Sequence, residues 1–421
     1  MINVNIVEAK AEHSGLINPW RMLMWLLIAQ LMVAFVGRSL GPLGILIGED
    51  LSLSKAEIGL LPSALFIGQA IASIPVGFTA DFIGSKPLLL ILSLCLGVSF
   101  LMMTFLSNFY FVLVLVLIGG LGYGAMHPTS NRGIIYWFSQ TRRGTAMGIK
   151  QMGITFGSAL AGFLLLPLSV TFGWRPVLLI ACVSLIITGF FAYLFYSDPV
   201  GSLKSREKSN FLFFRTSLSK MLKNKPLLLV SLSAMGLNGS QMCLNTYIVL
   251  FAYQKMGVSL FLSGILLVIS EVSGSLGRIG WGVISDRLFK GRRLIILFII
   301  ASLTAVMSTI VALLPSGTPF SALIPIIIVF GFCVSGFNGI WMNIASELVP
   351  KEQTGLSSGF SITLGSMGVI FVPPTFGLMV DYTGNYTAGW LSITVIMGGV
   401  LVLLTLLTLE SRKIGQSERK I

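Results

Sequence analysis

Apolar residues in this chain run in long blocks separated by short polar loops. Twelve such blocks follow one another, at 22–47, 57–79, 88–107, 109–138, 145–169, 174–196, 227–252, 260–285, 294–314, 320–347, 355–380 and 386–409. Each is near or above the roughly 20 residues that a spanning helix needs. A segment in hydrocarbon must satisfy its own backbone hydrogen bonds, which selects helices over open strands. The pattern therefore predicts an all-α polytopic membrane protein. It divides into a tail (1–21), six helices (22–196), a polar linker (197–226), six further helices (227–409) and a second tail (410–421).

Composition sharpens this reading. Of 421 residues, 55% are hydrophobic and 10% charged, against roughly 25% charged in soluble domains. No soluble fold of this length buries so much apolar surface, so lipid is its expected solvent. The net charge of +13 does not point to nucleic acid, because the basic residues are segregated. With the N-terminus inside, 21 Lys and Arg fall on the inner side, 3 on the outer side (counting Arg175 at the outer edge of its block) and four deeper within the blocks. That excess places both termini in the cytoplasm and suits a bacterial inner membrane. The stretch Lys204–Lys225 could also meet anionic lipid. Residues 1–18 lack the pattern of a secretory signal. Cys95, Cys182, Cys243 and Cys333 are scattered singly and read as packing residues.

The chain repeats itself. Gly77, Asp81, Gly84 and Lys86 follow the second block, and Gly282, Asp286, Arg292 and Arg293 follow the eighth; Asp81 and Asp286 are 205 residues apart. Gly59 aligns with Gly264 at the same offset, and Gly144–Gly148 aligns with Gly355–Gly359 at an offset of 211. Six helices therefore correspond to the next six. This plan resembles the major facilitator superfamily, whose loop pattern is Gly-x-x-x-Asp-x-x-Gly followed by two basic residues. Ser85 departs from that pattern. The resemblance implies two pseudo-symmetric six-helix bundles, and a gating role for both copies of the loop. A second stretch, Pro128-x-x-Asn131-Arg132 with Trp137 and Phe138, resembles the anion:cation symporter branch, and Arg143–Gly148 also resembles that branch as well as the cyanate-type and nitrate-type branches. In the first of these, arginines of helices one and four handle the anion, at positions matched by Arg38 and Arg132.

Ionisable residues inside spans are costly and tend to be functional. Arg38 lies in helix one among Gly37, Gly41 and Pro42, and a guanidinium suits carboxylate, phosphate or sulfonate. Arg132 in helix four and Lys150 in helix five add two cations. The alternatives for these three are snorkelling, a structural tether and a gating contact. The repeat aligns Arg38 with Cys243 and Arg132 with Asn343, so the second half is neutral at positions where the first is charged. An architectural need would appear in both halves. A ligand need would not, which points to an anionic substrate. Glu271 is the acid nearest a span centre. It is a candidate proton carrier, or a fixed partner for a cation such as Lys150. Arg278, seven residues on, reads as a structural contact. His127 can exchange a proton near neutral pH, or simply pack. Asn131, Asn245, Asn338 and Asn343, with Gln241 and Tyr247, are candidate hydrogen-bonding groups for the substrate.

No phosphate-cradling loop, metal cluster or nucleophile–base set appears, so neither a cofactor nor an enzyme is expected. The sequence thus predicts a monomeric secondary transporter of a small anion, by alternating access and proton-coupled symport. Efflux of amphipathic compounds and a non-transporting sensor are the alternatives.

Overall fold

The computed structural model describes residues 18–198, 221–349 and 354–418. Most of the expected first tail and linker therefore lies outside the described residues. So do the side chains of Asp81 and Arg143. Among the described residues the chain is helical, without strands.

Among the described residues, twelve helices are long and apolar enough to cross a membrane. They are α1 Pro19–Asp50, α2 Lys55–Gly77, α3 Ser85–Met103, α4 Phe109–Trp137, α5 Ala146–Phe172, α6 Trp174–Phe195, α7 Lys225–Gln254, α8 Leu260–Leu288, α9 Arg293–Leu313, α10 Phe320–Glu347, α11 Gly359–Thr383 and α12 Tyr386–Glu410. Polar residues that break the apolar pattern act as caps. Asn18 Oδ1 accepts from Trp20 N at 2.9 Å, ahead of a helix opened by Pro19. Asn108 Oδ1 accepts from Tyr110 N at 3.0 Å, and Asn224 Oδ1 accepts from Leu227 N at 3.1 Å. Each satisfies a donor that a helix start leaves orphaned. Large apolar side chains face outward, including Phe172 at 67% and Val395 at 75% exposure. Such a surface suits lipid rather than water.

Three spans depart from regular α-helix. The helical run of α1 is interrupted at Arg38 and Ser39, and that of α10 at Ser335–Phe337. In α5 a π-turn occupies Ala161–Leu165.

The fold forms two compact units. The first gathers the described residues up to Ser39 with those of Ala64–Ser209; the second gathers Leu40–Ser63 with those from Asn210 onward. Inside the first, α2 and α4 meet where Gly120 lies against the Leu65 carbonyl and Gly68. Inside the second, α8 and α10 meet where Gly331 lies against the Ser270 carbonyl and Ser273. Leu65 and Gly68 align with Ser270 and Ser273 at the repeat offset of 205, and Gly120 with Gly331 at 211. The same close backbone approach is therefore built twice, as small residues permit between membrane helices. Gly157 of α5 against Leu31 O of α1, and Gly368 of α11 against Met235 O of α7, make a second such pair.

The second unit includes the start of α2. Ser54 and Glu57 form a reciprocal capping box, with Ser54 N to Glu57 Oε2 at 2.8 Å and Glu57 N to Ser54 Oγ at 3.2 Å. Asp381 accepts from the next two amides, Lys55 N at 2.9 Å and Ala56 N at 2.8 Å. Nearby, Trp390 packs with Phe251, Phe330 and Phe376, at ring-centroid distances of 5.6, 5.9 and 5.0 Å.

Candidate functional site

The interruption of α1 sets Arg38. Its backbone is at φ −96° and ψ 4°, and its Nε donates to the Tyr123 hydroxyl on α4 at 3.1 Å. Arg38 is half-buried and Tyr123 is buried. Lys150 of α5 is fully buried, at 0% exposure. Its Nζ donates to Asn131 Oδ1 on α4 at 2.9 Å. The chain can bury this ammonium because Gly153 and Gly157 bring α5 close to Leu27 and Leu31 of α1. His127, also on α4, is half-buried.

Arg132 faces a different partner. Its Nη1 donates to Asp198 Oδ1 at 2.9 Å and lies 3.4 Å from Ser85 Oγ. Its guanidinium stacks over Tyr136, 4.9 Å from the ring centroid. Asp198 also caps α3, accepting from Ser85 N at 3.0 Å and Lys86 N at 2.9 Å. Trp137 Nε1 donates to Ser197 O at 3.1 Å, and Phe138 meets Trp20 edge-on. The Pro128–Phe138 stretch thus grips both Lys150 and the end of α6. Nine residues separate Tyr123 from Arg132, about 13 Å along the axis. Arg38 and Arg132 therefore engage α4 at different levels.

The loop glycines have a backbone reason. Gly84 holds φ at +91° immediately before α3, and Gly291 holds +75° before α9, a region that favours glycine. Gly77 and Gly282 lie within helix. Lys86 Nζ sits over the Tyr193 ring. In the second copy Asp286 and Arg292 are exposed, while Arg293 pairs with Glu347 at the end of α10.

In the second unit Asn245 Nδ2 donates to Glu271 Oε1 at 2.8 Å, with both residues buried. Gln241 is buried on the same helix as Asn245. Tyr247 OH lies 2.8 Å from each of two carbonyls, Lys55 O and Pro373 O. Arg278 Nε donates to Ser335 O at 3.2 Å, and Asn338 Nδ2 reaches the same carbonyl at 3.3 Å, so both brace the interruption of α10. Asn343 is exposed.

Tyr123, Asp198, Glu347 and Asp381 are the partners that sequence reasoning did not single out. Tyr123 reads as one more apolar-block aromatic, and the three acids stand at or near helix ends, where carboxylates are common.

A polytopic helical membrane protein, repeated in two halves, with cations drawn into its first half, is the class that this geometry defines. Residues 26–367 match the family model described as the Major Facilitator Superfamily. The chain belongs to that superfamily of membrane transporters. It is 22% identical to the hexuronate transporter of Bacillus subtilis (strain 168), over 86% of this chain and 86% of that protein. It is 24% identical to the probable sulfoacetate transporter SauU of Cupriavidus necator, over 94% and 96% respectively. Among solved structures, the nucleoside transporter NupG shares its fold, with a TM-score of 0.73 at 19% identity, covering 92% of this chain and 98% of that one.

Proposed function

We propose that this protein is a proton-coupled symporter of a small organic acid, a sugar acid or short sulfonate, across a bacterial inner membrane with both termini cytoplasmic. In this proposal the halves 22–196 and 227–409 are its two moving bundles, rocking about the substrate in a monomer. The observation that carries the anionic reading is Lys150, fully buried and hydrogen-bonded to the neutral amide of Asn131. A charge withdrawn from water is expensive without a counter-charge, and an anionic substrate supplies one during the cycle. Arg38 is the first contact of the carboxylate or sulfonate, because a guanidinium fork matches two oxygens. Arg132, met by Asp198, clamps α4 to the ends of α3 and α6 in this reading. Asn245, Gln241, Asn338 and Asn343 offer hydrogen bonds to substrate hydroxyls. The two loop motifs gate the cytoplasmic side. The hexuronate and sulfoacetate names of the relatives support an organic acid, since both compounds carry a fixed anionic group on a small polar body.

Asn131→Asp tests the role of Lys150. It places a carboxylate where the amide now sits, giving the ammonium an internal counter-ion that competes with substrate. In wild type, D-glucuronate or sulfoacetate should raise the unfolding midpoint in detergent, because a ligand that prefers the native state stabilises it. Asn131→Asp should lose that shift while its own midpoint stays at or above the wild-type value. An undiminished shift would remove Lys150 from the anion site.

Glu271 is the proposed proton carrier, held by Asn245, with His127 as the second candidate. Glutamine at 271 can still accept from Asn245 but cannot release a proton. Glu271→Gln should therefore keep counterflow of the anion and lose accumulation driven by a pH gradient. Accumulation at the wild-type level in this variant would pass the role to His127.

A further inference from the structure

Arg38 is aimed by three features that converge on its guanidinium. The first is the interruption of α1. Arg38 N donates to Ala34 O at 2.9 Å, and Ser39 Oγ donates to Val36 O at 2.7 Å, so the backbone at the break is fixed by its own preceding turn. The second is a notch at Gly37. A Cβ there would stand 2.5 and 2.8 Å from Cδ2 and Cε2 of Tyr123, a separation that real side chains do not tolerate. Only glycine lets the Tyr123 ring press against the α1 backbone one residue before Arg38. The third is the phenol, whose hydroxyl accepts from Arg38 Nε at 3.1 Å. The ring itself is pinned, with Tyr123 at 3% exposure and the Phe66 ring centroid 5.9 Å away.

A guanidinium can meet a two-oxygen anion along either of two edges. One edge uses Nε and the nearer Nη; the other uses both Nη groups end-on. A hydroxyl on Nε closes the first edge. It also stops the planar group from rotating about its long, flexible stem, so less freedom is lost when the anion arrives.

We propose that Tyr123 is a positioning residue for anion recognition, holding Arg38 by Nε so that its two Nη groups meet the substrate end-on. The proposal rests on the reading of Arg38 as the anion contact. Tyr123 touches Arg38 rather than substrate, so its removal loosens the fork without removing the charge. Transport should then suffer in apparent affinity more than in maximal rate.

The test is Tyr123→Phe in the full-length protein, with Gly37→Ala as an independent variant that displaces the same ring. Arginine-labelled protein in nanodiscs reports the Nε–H of Arg38 by nitrogen NMR, assigned by its absence in Arg38→Lys. Both variants should speed exchange of that proton with solvent roughly tenfold or more, as expected for loss of a charge-assisted hydrogen bond. In proteoliposomes, KM for D-glucuronate or sulfoacetate should rise roughly tenfold with Vmax within about twofold. Unchanged exchange and unchanged KM would overturn the proposal. So would a fall in Vmax at constant KM, which marks Tyr123 as packing alone. If wild type takes up neither compound, the organic-acid reading falls, and with it the recognition role. The exchange measurement then still decides whether the phenol holds Nε.

Discussion

Arg38→Ala removes organic-acid uptake by a factor on the order of 10²–10³ while the protein still folds and purifies. The magnitude follows from the contact proposed. An end-on guanidinium offers two charge-assisted hydrogen bonds to a carboxylate or sulfonate, each contributing roughly 1.5–3 kcal/mol. Losing about 3–4 kcal/mol of the summed contact lowers affinity by that factor. The fold should tolerate the change because the helix break is held by Ala34 O and Val36 O rather than by the guanidinium. Arg38→Lys keeps the charge but not the fork, so it should recover only part of the loss. Uptake in Arg38→Ala within about threefold of wild type would exclude Arg38 as the anchor, since one lost charge-assisted bond alone predicts more.

The second large effect concerns stability rather than transport. Asp198 joins three helices, pairing with Arg132 of α4 and capping α3 from the end of α6. Arg132 is only 4% exposed in its side chain and Asp198 18%. Removing one partner of a buried pair leaves the other charged and poorly solvated, at a cost of roughly 3–5 kcal/mol. Partial exposure of Asp198 moves the estimate to about 2–4 kcal/mol. Asp198→Ala also gives up the cap, whose loss alone costs about 1 kcal/mol. The detergent unfolding midpoint should therefore fall on the order of 5–10 °C. Arg132→Ala should fall comparably. The double variant should be little worse than Asp198→Ala, because a shared contact can be lost only once. Additive losses would show that the two residues act separately.

Much of this architecture is legible in the chain, and the reason is the solvent. Every spanning segment must bond its own backbone, so an apolar block of the right length becomes a helix almost regardless of its neighbours. All twelve expected blocks correspond to spans, and the offsets of 205 and 211 read from the loop motifs recur as matched glycine contacts. Local irregularity was less visible. Gly37, Gly41 and Pro42 flag room around Arg38, but not the interruption at Arg38 and Ser39. Nothing in the apolar run 161–165 announces a π-turn. Side-chain partnerships were the least accessible, because they join residues far apart in sequence. Tyr123 stands 85 positions from Arg38, and Asp198 stands 66 from Arg132. Periodicity carries information about faces within a helix and none about which distant residue a face will meet. The intramembrane cations could be found as exceptions to an apolar pattern. Their neutral partners, Tyr123 and Asn131, do not violate that pattern strongly enough to be noticed as a pair.

The most direct test of an organic-acid transporter is counterflow in proteoliposomes loaded with unlabelled D-glucuronate or sulfoacetate and diluted into a trace of the same labelled compound. Wild type should show transient uptake of label above equilibrium, competed by excess anion and indifferent to lipophilic cations, and Arg38→Ala should show none. Absence of counterflow for both acids with properly folded wild type, or counterflow confined to lipophilic cations, would contradict the account.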